Sequence, residues 1–114
     1  YDAYKKGTNV IEYTTIKEEE FVWVFSSESK NIKRPWLTRK SEIEGLTPEQ
    51  IQDKFSLEYV SDMIVDVKVP AGKRIQTGIV APLEQGGLKT KGGGIQYKLK
   101  DIEEVKFINE RFLK

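Results

Sequence analysis

The residues best suited to chemistry follow three consecutive glycines, Gly92, Gly93 and Gly94, late in the sequence. A strand-like alternation starts directly after them, and Gln96 is the first polar residue on one of its faces. Because glycine has no Cβ, another backbone or a flat ligand can approach such a loop closely. The glutamine amide both donates and accepts hydrogen bonds. This segment therefore predicts a binding position, the alternative being a flexible hairpin loop followed by an ordinary exposed glutamine.

Two residue types that carry much of enzyme chemistry are absent from the 114 residues, namely cysteine and histidine. Without cysteine there are no disulfides, thiolate zinc sites or cysteine nucleophiles. Without histidine there are no Ser–His triads, no histidine metal sites and no histidine acid–base pair of the ribonuclease kind. We therefore expect neither a metal site nor a cofactor.

Charge is unevenly distributed along the chain, although the formal net charge is only +1. Residues 41–66 carry seven acidic residues and one lysine, a net charge of −6, whereas residues 72–100 carry six basic residues and one glutamate, a net charge of +5. A basic segment suits an anionic ligand, and ordinary solvated faces are the alternative. The low total charge argues against a general nucleic-acid binder.

The elements that must position these residues are short. Alternating and β-branched patterns predict strands over residues 9–15, 20–25, 63–69, 74–80, 95–100 and 104–108. We expect one domain over residues 1–114, with residues 1–8 frayed, in the α+β class: a small, mostly antiparallel twisted sheet with one or two short helices. No apolar run approaches the ~20 residues that a membrane span requires.

Three local patterns make more specific predictions. Thr47, followed by Pro48 and by Gln50 at the third position, predicts a capped helix over residues 48–55. Residues 20–25 are apolar on both faces, which favours a central strand. The turn at residues 70–72 predicts that the strands on either side of it pair as an antiparallel hairpin.

Five blocks of the sequence resemble the C-terminal toxin domains of bacterial polymorphic effectors, the exchangeable warheads of contact-dependent inhibition, Rhs and LXG proteins. The blocks are residues 45–51, 53–57, 67–72, 77–78 and 92–97, and the resemblance covers about residues 20–100. It implies a secreted or cell-surface effector that is delivered to the cytoplasm of a target cell. It also implies a cognate immunity protein that neutralises the toxin.

The last block, GGGIQY, together with Trp36 about 60 residues upstream, resembles the tuberculosis necrotizing toxin family of NAD glycohydrolases. The resemblance implies hydrolysis of NAD to nicotinamide and ADP-ribose, with NAD as substrate rather than cofactor. Trp23 stands where that family has an arginine, so Arg34 or Arg39 is expected to replace it. The implied catalytic residues are Gln96, Trp36 and Arg34, and the implied substrate-binding residues are Gly93, Gly94, Lys54, Phe55, Ser56, Trp23 and Arg39.

NAD cleavage suits this composition because nicotinamide is already a cationic leaving group. The protein needs only to position and desolvate the substrate and to stabilise the oxocarbenium-like ribose. The alternative is a histidine-free ribonuclease of the barnase, EndoU, colicin or RelE type acting on tRNA or rRNA. Its cleft would be lined by Lys54, Arg74, Thr77, Lys98 and Gln96. Trp23, between two valines, also fits an ordinary core position.

Overall fold

The computed structural model describes residues 4–7, 9–27, 36–57 and 59–113. Its elements, in chain order, are β1 (Ile11–Thr14), β2 (Glu19–Phe25), β3 (Trp36–Leu37), α1 (Lys40–Ile43), α2 (Pro48–Phe55), β4 (Met63–Val69), β5 (Arg74–Ile79), β6 (Glu84–Gln85), β7 (Leu88–Lys89), β8 (Ile95–Leu99) and β9 (Lys106–Phe112). The predicted α+β class is confirmed. None of the helices in the described ranges is both long and apolar enough to cross a membrane.

The strands form two main antiparallel sheets and one small ribbon. The four-stranded sheet has the order β1-β5-β8-β3, the three-stranded sheet has the order β2-β4-β9, and β6 pairs with β7. Val22 of β2 and Thr38 after β3 form a bridge between the two main sheets, in which each N–H donates to the other carbonyl (2.8 and 3.0 Å). The bridge fixes where the end of β3 lies relative to β2.

Strand β2 contributes to two hydrophobic cores, one on each of its faces. Phe21, Trp23 and Phe25 face the four-stranded sheet and pack in the first core with residues such as Ile75. Val22 and Val24 face the helices and pack in the second core. The predicted central position is wrong, because β2 is an end strand of its three-stranded sheet, although both of its faces are buried. Helices, rather than a further strand layer, cover its second face.

Helix α2 forms where the sequence predicts it. The Thr47 hydroxyl accepts a hydrogen bond from the Gln50 N–H (3.2 Å), and the Thr47 N–H donates to the Gln50 side chain (2.8 Å). Such a cap stabilises a helix by about 1 kcal/mol. The helix ends because Ser56 adopts the left-handed conformation (φ 52°). Its buried Ile51 and Phe55, four residues apart, pack in the second core.

The predicted hairpin of β4 and β5 is wrong, because the two strands belong to different sheets. Buried Thr15, after β1, holds the connecting turn: its hydroxyl donates to the Pro70 carbonyl (2.7 Å) and accepts from the Lys73 N–H (2.9 Å). Strand β5 then pairs with β1. Val67 of β4 and Ile75 of β5 consequently reach the first core from its opposite sides. A turn signal cannot distinguish this corner from a hairpin, because both bury the same alternating residues.

Tyr4 and Lys5 also differ from expectation, since they are bonded to the sheet rather than frayed. Tyr4 forms a bridge with Val80, and the Lys5 N–H donates to the Ile79 carbonyl (2.8 Å). The Tyr4 ring is buried against Gly78, where an added Cβ would lie 2.6 Å from the ring atom Cδ1. Because Gly78 has no side chain, the Tyr4 ring can pack directly against the strand.

Candidate functional site

The glycine loop is bonded at both of its ends to other elements. The Gly92 and Gly94 N–H groups donate to the carbonyls of Asp53 and Lys54 (2.9 and 3.1 Å), while the Gly94 carbonyl accepts from the Val80 N–H (2.8 Å). The last carbonyls of a helix have no partner within the helix. The loop supplies partners for two of them in α2, so it is fixed in position just before Gln96.

The space around the three glycines is mostly filled. A Cβ on Gly94 would lie 2.6 Å from Cε1 of the Phe55 ring, and one on Gly92 would lie 2.6 Å from the Val80 carbonyl oxygen. Only Gly93 of the three has nothing within 4 Å of its Cβ position. Gly92 thus allows close approach of the Val80 backbone and Gly94 that of the Phe55 ring, whereas the Cβ position of Gly93 is open.

Two side chains complete the hydrogen bonding of β8 at its first residue. Strand β3 ends at Leu37, because Thr38 pairs with β2 instead, and the edge of β8 would otherwise be open there. The Thr38 hydroxyl donates to the Ile95 carbonyl (2.8 Å), and the Ile95 N–H donates to the Glu42 carboxylate (3.0 Å). Lys54 donates to the Glu42 carbonyl (2.7 Å) and lies 3.7 Å from its carboxylate. Gln96 is thus held in place from the side of β3.

The register of β8 determines which residues share a face with Gln96. Gln96 lies opposite Gly78 of β5, and Lys98 lies opposite Trp36 of β3. Directly opposed residues in an antiparallel pair project to the same side, as do residues two apart in one strand. Gln96, Lys98 and Trp36 therefore share one face of the four-stranded sheet, which we call the Gln96 face.

The opposite side of β8 faces the first core, as the alternation predicts. Leu99 is buried there and Tyr97 packs against its edge. Ile95, on the same side at the start of the strand, is 39% exposed. Gln96 and Lys98 are each half-buried.

Aromatic rings border the Gln96 face on two sides. On the β3 side, Trp36 stacks on Phe55 of α2, with ring centroids 5.1 Å apart and an interplanar angle of 25°. On the β5 side, the Tyr4 ring covers Gly78, and the Lys98 ammonium lies 5.2 Å from the centre of that ring. Burial raises the pKa of Tyr4 to about 12. Tyr4 and Phe55 are buried, so the half-buried Trp36 is the ring of these three that can stack a flat heterocycle, while Gln96 and Lys98 can offer it an amide and a cation.

Arg39, a predicted substrate-binding residue, lies on the other side of the sheet. Its guanidinium lies 4.1 Å from the centre of the Phe21 ring and 5.1 Å from that of Tyr97, and it pairs with Glu19. It also donates to the Glu20 carbonyl (2.9 Å). Partial burial opposes its charge, but the hydrogen bonds to Glu19 and Tyr97 prevail and raise the pKa of Arg39. This arginine joins β2 to β8 and does not reach the Gln96 face.

Two further predicted substrate-binding residues are enclosed by protein. Trp23 is 3% exposed, with its ring 4.4 Å from that of Phe25, so the core interpretation is confirmed and the indole offers a substrate no surface. The buried Ser56 hydroxyl donates to the Ala81 carbonyl (2.6 Å) and lies 2.7 Å from the Thr90 hydroxyl. Arg34, predicted to be catalytic, lies outside the described residues.

The residues predicted for a ribonuclease cleft do not share one face. Thr77 lies opposite Tyr97 and so projects away from Gln96. Arg74 lies on the Gln96 face, but at its far end, where it is exposed and 3.9 Å from Glu12, whereas Lys54 is held by α1. Within the described ranges, no group of three or more potential ligand side chains is arranged to hold a metal ion.

Sequence reasoning missed Tyr4, Thr38 and Glu42 as parts of this site. Tyr4 lies in a polar N-terminal segment, and the other two follow a strand of only two residues. An aromatic residue in a polar stretch was the only available signal, because none of the three belongs to a periodic pattern. Their roles arise from contacts between residues far apart in sequence, such as Thr38 with Ile95.

Comparison with known proteins gives one informative similarity. No protein-family model matches the sequence, and no curated protein matches it. Among solved structures, the chain is similar to the structure of Tne2 in complex with Tni2, with a TM-score of 0.77 and 18% sequence identity. The similarity covers 97% of this chain and 98% of that chain. The chain therefore has the fold of that protein over essentially its whole length.

Proposed function

We propose that this chain is a toxin domain that hydrolyses NAD to nicotinamide and ADP-ribose. The observation that carries the proposal is that Gln96 and Trp36, sixty residues apart in sequence, share one face of the four-stranded sheet. These are the two described residues to which the sequence resemblance assigns catalysis. The blocks that carry the resemblance and the fold shared with Tne2 support the same proposal.

The chemistry requires positioning more than proton transfer. The N-glycosidic bond breaks with its electron pair going to the nicotinamide nitrogen, and the ribose carbon becomes oxocarbenium-like. Water then bonds to that carbon and releases a proton to solvent. In this proposal the Gln96 amide binds a ribose hydroxyl or the nicotinamide amide, while Trp36, supported by Phe55, stacks on a flat ring. Neither histidine nor a metal ion is required.

The proposal includes a protein partner and a place of action. Tne2 was solved in complex with a second protein, Tni2, which supports a cognate immunity protein for this domain. We expect it to bind over the Gln96 face, with an acidic contact surface, because residues 72–100 carry a net charge of +5. The toxin would act in the cytoplasm of a target cell after delivery by a secreted or cell-surface effector. A partner that is basic and binds only residues 41–66 would contradict this arrangement.

The test is to incubate the protein with NAD and, separately, with total tRNA and ribosomes. We expect release of nicotinamide by the wild-type protein and loss of that release in Gln96→Ala, with the RNA left intact. In cells that lack the immunity protein, NAD should be depleted before RNA is damaged. RNA fragments alongside intact NAD would establish the ribonuclease alternative instead.

A further inference from the structure

The Gln96 face carries one cation, Lys98, for which the described residues provide no carboxylate partner. Lys98 follows Gln96 by two residues on β8, about 7 Å further along the same face. It lies opposite Trp36 and is half-buried. Its ammonium lies 5.2 Å from the centre of the Tyr4 ring, so an aromatic side chain borders the charge on one side.

Four cations of the surrounding elements already have a carboxylate partner. Lys54 lies 3.7 Å from Glu42, and Arg39 pairs with Glu19. At the far end of the same face, Glu12 serves two cations: its carboxylate oxygens lie 3.0 Å from the ammonium of Lys100 and 3.9 Å from the guanidinium of Arg74. Among the residues that the structure describes, Lys98 forms no such ion pair. A lysine without a counter-charge among its described neighbours attracts an anion.

We propose that Lys98 binds the diphosphate of the dinucleotide substrate, an inference that rests on the proposed hydrolysis of NAD. In NAD the nicotinamide is bonded to C1′ of the ribose, and the diphosphate is attached through C5′, which C4′ carries on the other side of the ring oxygen. The ribose therefore lies between the N-glycosidic bond, beside which Gln96 would bind, and the nearest phosphate. The two-residue step along β8 is comparable to that span. A lysine ammonium suits the role because it binds phosphate as a point charge.

The assignment also accounts for the missing arginine of the sequence resemblance. Trp23 occupies the position of that arginine and is buried in the core. Arg39 forms an ion pair with Glu19 on the other side of the sheet. Lys98 supplies a cation on the correct face from a different strand. The cation that we assign to the diphosphate therefore lies on a different strand from the arginine that the resemblance implies.

The test compares Lys98→Gln with Lys100→Gln, a matched lysine on the same strand that is already paired with Glu12. We expect Lys98→Gln to raise the KM for NAD and the Kd for ADP-ribose by about 10- to 100-fold, the range for loss of a charge-assisted hydrogen bond. The kcat should change little. Lys98→Arg should retain most of the affinity, and Lys100→Gln should stay within about twofold of the wild type. Thermal melts verify that each variant is folded.

A salt series separates charge from packing. The KM of the wild-type protein should rise with ionic strength more steeply than that of Lys98→Gln, because screening weakens only the interaction that the variant lacks. If the wild-type protein hydrolyses NAD but Lys98→Gln matches Lys100→Gln in KM, Kd and salt dependence, the role of Lys98 is excluded while the proposed function stands. If the wild-type protein releases no nicotinamide, the proposed function itself fails.

Discussion

The Trp36 indole stacks on the Phe55 ring, with centroids 5.1 Å apart and an interplanar angle of 25°. Trp36 begins a two-residue edge strand, and Phe55 is the last residue of α2. The same Phe55 ring fills the space beside Gly94. The helix, the glycine loop and the edge strand therefore meet at one aromatic side chain, which sets the position of Trp36 next to β8.

Replacing Gln96 by alanine should separate catalysis from folding. The side chain is half-buried and projects away from the first core, so the free energy of unfolding should change by about 0.5 kcal/mol or less. Nicotinamide release should fall by about 10²-fold or more, as when one positioned donor is removed from an oxyanion hole. Gln52→Ala, on α2, is the control and should leave release unchanged. A stable Gln96→Ala protein with full activity would remove this residue from the site.

Gly94→Ala should destabilise the protein through the Phe55 ring. Gly94 does not have a left-handed φ, so the cost comes from the 2.6 Å contact between the new Cβ and the ring. Overpacking of this kind costs about 1–3 kcal/mol. In a Phe55→Leu background the same change should cost less, because the smaller side chain makes room. Urea unfolding of the four proteins measures the coupling, and additive effects would contradict the contact.

Ser56→Ala should reduce stability without a specific effect on activity. The hydroxyl donates to the Ala81 carbonyl and therefore accepts from Thr90, so alanine leaves two buried partners unsatisfied, at a cost of about 1–3 kcal/mol. Ser56→Gly should cost less, because glycine relieves the left-handed φ of 52°. Thermal melts rank the variants. If folded Ser56→Ala protein lost nicotinamide release, Ser56 would have to contact substrate.

Raising the pH above 10 should destabilise the protein, in part because two tyrosines ionise. Burial raises the pKa of Tyr4 to about 12, and burial together with the hydrogen bond to Glu19 raises that of Tyr13 to about 12. In the unfolded chain both ionise near pH 10. The folded state therefore holds more protons than the unfolded state between pH 10 and 12. The contribution of the two tyrosines to the free energy of unfolding is complete below pH 10 and is lost as the pH rises to 12. Urea midpoints of the wild type and of Tyr13→Phe across this range should converge as the pH rises. Parallel curves would contradict the shift for Tyr13.

Local signals in the sequence were sufficient for single elements. The capping residues at Thr47 and Gln50 act within four residues, and α2 has the predicted bounds. Alternation in β4 also gave its bounds, because burial of every second residue is a property of the strand itself. Alternation likewise predicted that Gln96 and Tyr97 project to opposite faces of β8. These features depend on the neighbours along the chain, which the sequence contains.

Pairing between elements was decided only by the tertiary structure. Strands β4 and β5 separate into two sheets because Thr15 binds the turn between them, a contact over more than fifty residues. The sequence likewise does not show the partners of the charged groups: Arg39 pairs with Glu19 and Lys54 lies beside Glu42, while Lys98 has no carboxylate partner among the described residues. Sequence alone determined which side chains could do chemistry here. Which of them reach a common face depends on strand order and register, because a charge is available to a ligand only where no other part of the chain has paired with it.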